Sequence, residues 1–404
     1  MNARADWAGP ANVPKSELNR RVEQLQERLQ AAQVEAALLQ DFVDLYYFTG
    51  TAQQGVALVA GSATAADQGL PPPLLLVRRS FSRAQAESGW EQIEPLPSLR
   101  QLPQRLQAWY GRLPRRLGLE WDVLPVAQYR FFQELLPGVE WVDVSPLIRA
   151  LRAVKSPWEL ERMAGAAQVA AAMFAAARAA AKPGVREIEL AAEIEAAGRR
   201  AGHPGLVRMR AFNQAMLYGH VLSGPSGGVP SCVDSPTGGP GLTPVFPQGA
   251  GWRRLQPDEA VLVDLVGGSE GYLVDQTRMI VLGRLPDPLA QAESLARAIL
   301  ASLEERLRPG MTAAQVYGLA REMAEASGLL PYFMGYGDSQ ARFVGHGIGL
   351  ELDEFPPLAA RVEIPLQVGM TLAIEPKFVF PGLGAVGIEN TYVLTEAGLQ
   401  RLNV

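Results

Sequence analysis

The chain has 404 residues, 48% hydrophobic and 20% charged, the composition of a globular protein long enough for two domains with a core each. A net charge of -5 offers no basic face for neutralising phosphate, which argues against nucleic acid as a partner. Cys232 is the single cysteine, so neither an internal disulfide nor a thiolate metal cage can form.

The first fifteen residues lack the apolar core of a secretory signal, which sets the cytoplasm as the expected compartment. Residues 15–33 carry leucine and valine at helical spacing behind Ser16, read as an N-cap. The apolar runs EAALLQ, GVALVA, PLLLVRR, LGLEWD and VEWVDV then alternate with helical stretches, as in an α/β domain spanning 15–150. Ser156-Pro157 opens the next helix, since proline in a first turn forfeits no hydrogen bond. Its apolar stretch from Ala166 to Ala181 is interrupted by Gln168 and Arg178, so it reads as a buried helix and no membrane partner is expected.

An internal duplication follows. Lys182-Pro183-Gly184 opens a segment ending at Gly202, and Arg308-Pro309-Gly310 opens one ending at Gly328, each glycine pair 18 positions apart. A shift of 126 residues also carries Gly219-His220 onto Gly345-His346. Residues 157–283 and 284–404 therefore read as two related halves, each with helices followed by a hairpin.

The chemistry lies in the hairpins. In EAVLVDLVGGSEGYLVDQTRMIVLG, two β-prone runs flank Gly267, Gly268 and Gly271. A turn centred on Ser269 and Glu270 sets Asp264 opposite Asp275. In AIEPKFVFPGLGAVGIENTYVL, a turn at Gly382 sets Glu375 opposite Glu389. Facing carboxylates repel unless a cation lies between them. His346, between glycines in RFVGHGIGLELDEFP, is a fifth donor. With only three histidines available (His203, His220, His346), the site draws on oxygen ligands and favours Mn, Co or Zn. Four carboxylates call for two divalent ions as cofactors.

At these residues the chain resembles the creatinase/methionine aminopeptidase-type pita-bread proteins, in particular prolidase and Xaa-Pro aminopeptidase. YYFTG and LRAVKSPWELERM look like the N-terminal domain and its junction; VLVDLVGGSEGYLVDQTR, GHGIGL, LAIEP and GIEN look like the metal motifs. The resemblance implies an α/β (α+β) protein: a creatinase-like α/β domain (15–150), then a pseudo-twofold pita-bread catalytic domain (157–404). It implies that Asp264 chelates one metal, that His346 and Glu375 hold the other, and that Asp275 and Glu389 bridge them. It further implies a metal-bridging hydroxide as nucleophile, Glu375 as proton shuttle, a small peptide or amide substrate and a homodimer.

The chain departs from that pattern in three places. Asp353 stands where the family has histidine, Gly387 where it has arginine, and a histidine before the first aspartate is missing beside an expanded 224–251 region. His220, the pseudo-symmetry mate of His346, is a candidate catalytic and substrate-binding replacement; the other reading is a structural histidine. His203, in the Gly202–Gly205 turn, reads as a surface residue. An ionised Asp353 can only accept hydrogen bonds, so it is protonated, caps a backbone N–H, or binds a cationic group of the substrate. Hydrolysis of an Xaa-Pro bond by an aminopeptidase or dipeptidase leads; hydrolysis of a non-peptide amide or amidine, and ligand binding without turnover, are the alternatives.

Overall fold

Leu18, Val22, Leu25 and Leu29 recur at helical spacing and form the buried face of the first helix, α1 (Lys15–Ala31). It begins before Ser16, which lies inside the first turn; Pro14 occupies the cap position and no side chain caps it. The computed structural model describes residues 12–62, 69–210 and 212–403, and the chain divides between Leu151 and Arg152 into two units.

The first unit continues with β1 (Ala36–Leu39), α2 (Phe42–Thr49), β2 (Gly55–Ala60), β3 (Leu74–Val77), α3 (Phe81–Glu87) and β4 (Gln92–Pro95). It closes with α4 (Leu102–Tyr110), β5 (Arg116–Leu119), α5 (Val126–Leu135), β6 (Glu140–Asp143) and α6 (Ser145–Ala153), which runs across the division. The six strands form one mixed sheet in the order β4-β3-β2-β1-β5-β6. Five of them coincide with the apolar runs. The sixth, β4, is an edge strand with little buried side chain, and it gives no such signal.

The second unit opens with α7 (Pro157–Ala180), where Ser156 and Glu159 form a reciprocal capping box around Pro157. α7 is the one described helix long and apolar enough to cross a membrane. Its Met163, Ala166, Ala170 and Met173 face is buried, and the helix packs on the hairpin of β8 (Ala260–Ser269) and β9 (Tyr272–Val281). The approach is so close that a Cβ on Gly267 would lie 2.3 Å from the Ala166 carbonyl oxygen. Between α7 and that hairpin lie α8 (Glu187–Arg200) and β7 (Gly219–Ser223), the latter pairing with β8.

The second half repeats this plan with α9 (Asp287–Arg306), α10 (Ala313–Ala326) and β10 (Gly345–Gly347). It then adds β11 (Thr371–Ile374), β12 (Lys377–Phe380), β13 (Gly384–Gly387), β14 (Asn390–Thr395) and β15 (Gly398–Arg401). A shift of 126 positions carries Glu187–Arg200 onto Ala313–Ala326, the last residue of α7 onto that of α9, and the first of β7 onto that of β10. Gly184 and Gly310, which precede the matching helices, hold the same left-handed conformation at φ +90° and +91°. β9 and β14 join the halves: Thr391 Oγ1 accepts from Asp275 N at 2.9 Å, and Glu389 N donates to Thr277 O at 3.2 Å.

A buried ion cluster fixes the loop after β10. Glu354 accepts from Arg152 Nη2 at 2.5 Å and Lys155 Nζ at 2.8 Å, and from the Leu350 backbone N–H at 2.9 Å. Burial pushes the Glu354 carboxyl up, but the Arg152 and Lys155 charges outweigh it and hold it at about 2. The folded value lies below the ordinary 4.5, so its stabilisation, on the order of 3 kcal/mol, is complete above pH 4.5 and is lost as pH falls toward 2. Glu354→Gln takes the carboxylate from the buried Lys155 ammonium and leaves Arg152 with Glu351 alone of its two acids, and is expected to cost about 3–5 kcal/mol at neutral pH. Denaturant unfolding between pH 2 and 7 checks both statements: the parent loses stability on the acid side, and the variant lacks that limb.

Candidate metal centre

β8 and β9 meet at a two-residue turn, Glu270-Gly271, both at positive φ (48° and 88°), with Ser269 paired to Tyr272. That conformation suits the twist of the flanking strands. Asp264 therefore pairs with Thr277 and Asp275 with Val266, so the two acids are not directly opposed as the sequence led us to expect. The register differs by two, which is one full side-chain period, and both carboxylates keep the same face, set diagonally.

The second expected pair lies in the anticipated register. Ile374 pairs with Asn390 on one side and Lys377 with Gly387 on the other, placing Glu375 across from Glu389. His346 pairs with Ala373 on β11 and brings its ring to the same place. Its Nε2 lies 4.0 Å from Asp275 Oδ2 and 3.8 Å from Glu375 Oε1. Ligand atoms of Asp275, His346 and Glu389 fall within 4.8 Å of one another. His346 Nδ1 lies 3.0 Å from the Gly347 carbonyl oxygen; donating there leaves the Nε2 lone pair for a ligand.

Lys377 was not anticipated. Its ammonium, on a side chain 2% exposed, donates to Asp264 Oδ2 at 2.8 Å, Glu375 Oε2 at 2.7 Å and Glu389 Oε2 at 3.1 Å. Burial opposes the charge on Lys377, but these carboxylates raise its pKa well above the ordinary range. The acids divide around it. Burial raises the Asp264 carboxyl, yet Lys377 brings it below its usual value. Asp275, buried beside Glu389 and Asp264, is raised well above the carboxylate range. Burial pushes Glu389 up to about 7 despite Lys377. A lysine two positions after Glu375 shares its face in an extended strand, and that spacing in AIEPKFVF was the available signal.

The other candidates fall around this group. His220 pairs with Asp264 across β7 and β8 and lines the same cavity, with Nδ1 3.4 Å from Thr237 Oγ1. Burial lowers its pKa against the opposing pull of Asp264, which favours the neutral ring. Asp353, its side chain 46% exposed, also lines the cavity and sets Oδ1 3.4 Å from His346 Nδ1. His203 is buried and not on the surface as expected: it lies against Tyr218 with ring centroids 4.4 Å apart, and its Nε2 meets Val266 O at 3.1 Å. Val233 and Ser235 bring part of the expanded 224–251 region to the cavity wall.

The donors fit a divalent ion on Asp275, His346 and Glu389. Glu389 Oε1 is buried there without a hydrogen-bond partner, and a cation would satisfy it.

Residues 161–396 match metallopeptidase family M24, and residues 21–154 match the creatinase/prolidase N-terminal domain. The Xaa-Pro dipeptidase of Pyrococcus furiosus is 26% identical over 385 residues, covering 95% of this chain and 98% of that protein. Among solved structures, the Xaa-Pro dipeptidase from Bacillus anthracis superposes with a TM-score of 0.79 at 25% identity, covering 95% of this chain and 97% of the other. Dipeptidase PepE from Mycobacterium ulcerans superposes with a TM-score of 0.78 at 26% identity, covering 98% and 97%.

His346→Ala removes the one nitrogen donor of the ion site. Divalent-ion affinity, read by titration calorimetry, is expected to fall by more than the roughly 10–100-fold typical of losing an outer-shell partner. Unchanged affinity would move the ion elsewhere.

Proposed function

The chain belongs to metallopeptidase family M24, and on that premise we propose that it hydrolyses an amide bond in a small peptide, as a dipeptidase or aminopeptidase cutting at an Xaa-Pro bond. The observation that carries this reading is the Asp275, His346 and Glu389 donor group, of which Asp275 and His346 line one cavity together with Glu375 and His220. Its oxygen-rich donor set with one imidazole suits Mn, Co or Zn. A divalent ion bound there supplies Lewis-acid polarisation of the scissile carbonyl and a water of lowered pKa.

The side chains do the rest. Glu375 has one oxygen tied to Lys377 and the other on the His346 side, so a single rotamer is held with one oxygen toward the reacting centre. In that position it takes a proton from the attacking water and passes it to the leaving amine. His220, favoured neutral by burial, donates from its ring to the carbonyl oxygen as charge develops there. Asp353, partly exposed at the cavity wall, accepts from the free amino group of the substrate. The dipeptidases named above have this fold, which supports a peptide over a non-peptide amide.

Glu375→Gln cannot shuttle a proton and is expected to lower kcat by about 10²–10⁴-fold in the ion-loaded protein. Stopped assays on Xaa-Pro dipeptides and tripeptides with added Mn or Co read this out. Parent-like turnover would remove Glu375 from the mechanism. Hydrolysis of only non-peptide amides by the parent chain would overturn the peptide assignment.

Asp353→Asn is expected to raise KM for peptides with a free amino terminus more than for their N-acetylated forms, leaving kcat within a few fold. Equal KM changes for both series would deny Asp353 that role.

A further inference from the structure

We propose that the Lys377 ammonium is a built-in cation of this centre, standing where a second divalent ion would be held, so that the chain takes one ion, on Asp275, His346 and Glu389. The inference rests on reading the centre as the metal site of a hydrolase, and it revises the expectation of two ions. An ammonium has three protons, and Nζ has three carboxylate acceptors here, one each from Asp264, Glu375 and Glu389. The tripod is complete at 2.7–3.1 Å, ordinary N–H···O distances. An ion binding the same oxygens would need them at about 2.0–2.2 Å around the point the nitrogen fills. Asp264 therefore has its accepting oxygen committed to the lysine and not to an ion.

The backbone makes room for this arrangement. Lys377 lies opposite Gly387, and a Cβ added at Gly387 would come within 2.6 Å of Lys377 Cγ and 2.8 Å of the Pro376 carbonyl oxygen. Glycine at 387 is the opening through which the lysine stem reaches the carboxylates. Charge points the same way. Asp264, Asp275, Glu375 and Glu389 carry four formal negative charges, which one ammonium and one divalent ion nearly balance. A second divalent ion beside the ammonium would reverse the sign of the buried cluster.

The full chain is loaded with Mn(II), freed of excess by gel filtration, and read by elemental analysis and by electron paramagnetic resonance. One manganese per chain with the spectrum of an isolated ion is expected for the parent. Lys377→Gly, which removes the ammonium and opens its position, is expected to double the content to two and to give an exchange-coupled pair. Asp264→Asn keeps the test sound should that variant not fold: it is expected to leave the content at one with affinity changed less than threefold, whereas in a two-ion centre it would cost an ion. Two coupled ions in the parent, none at millimolar Mn(II), or loss of the single ion in Asp264→Asn would each overturn the proposal. Because neither readout is turnover, one-ion protein that cuts no peptide would refute the proposed function alone, and a two-ion peptidase would refute this inference alone.

Discussion

Four clustered carboxylates, three of them bonded to a single ammonium, repel one another, and the second unit is organised around what neutralises them. The cost is visible in the acids themselves. Asp264, bonded to Lys377, is held below its usual range, while Asp275 is driven well above it by burial and by its acidic neighbours. No rearrangement within one strand could relieve this, because the acids arrive on separate elements whose registers are set by long ladders. Asp264 and Asp275 come with β8 and β9, Glu375 follows β11, and Glu389 precedes β14. Only a cation in the middle turns these registers from a liability into a site.

The duplication explains how one unit brings so many strands to one point. Each half supplies two helices and a strand at matching positions, and His220 and His346 are equivalent residues in the two copies. The copies have diverged in use. His346 presents Nε2 to the carboxylates and secures Nδ1 on a carbonyl, whereas His220 stands across from Asp264 and has only a long contact to Thr237. The halves are bound where β9 meets β14, so the hydrogen bonds that join the duplication also seat Asp275 and Glu389.

Much of this is legible in the sequence, for reasons that can be named. Proline-glycine starts and glycine stops have strong local chemistry, so α8 and α10 are legible in the sequence as a pair. The Gly382 turn was legible too, and the Glu375–Glu389 opposition follows from it. The first hairpin was misjudged by two because its turn places a glutamate, Glu270, in the left-handed conformation, which non-glycine residues seldom adopt. The burial of His203 depends on Tyr218 and Val266, contacts remote from its glycine-flanked turn, and no local pattern encodes them. Lys377 is a different case. Its spacing from Glu375 was in plain view, but a lysine in an apolar run reads as a solvated edge until the partner strand shows glycine opposite it.

That pairing of a long cation with a missing side chain bears on how the site assembles. An ion from solution stabilises a fold only in proportion to its concentration relative to its dissociation constant. A lysine on β12 is present at fixed stoichiometry and enters with the strand that carries it. The Lys377 bonds to Asp264, Glu375 and Glu389 span the hairpin of the first half and the two strands flanking the second hairpin. They can therefore hold the two halves in register whatever the supply of metal. The strain that remains falls on Asp275 and Glu389, whose carboxyls burial and neighbouring acids drive above their ordinary values. Those two, with His346, are where a divalent ion gains most by binding, so the lysine neutralises one side of the cluster and leaves the other side to attract the ion.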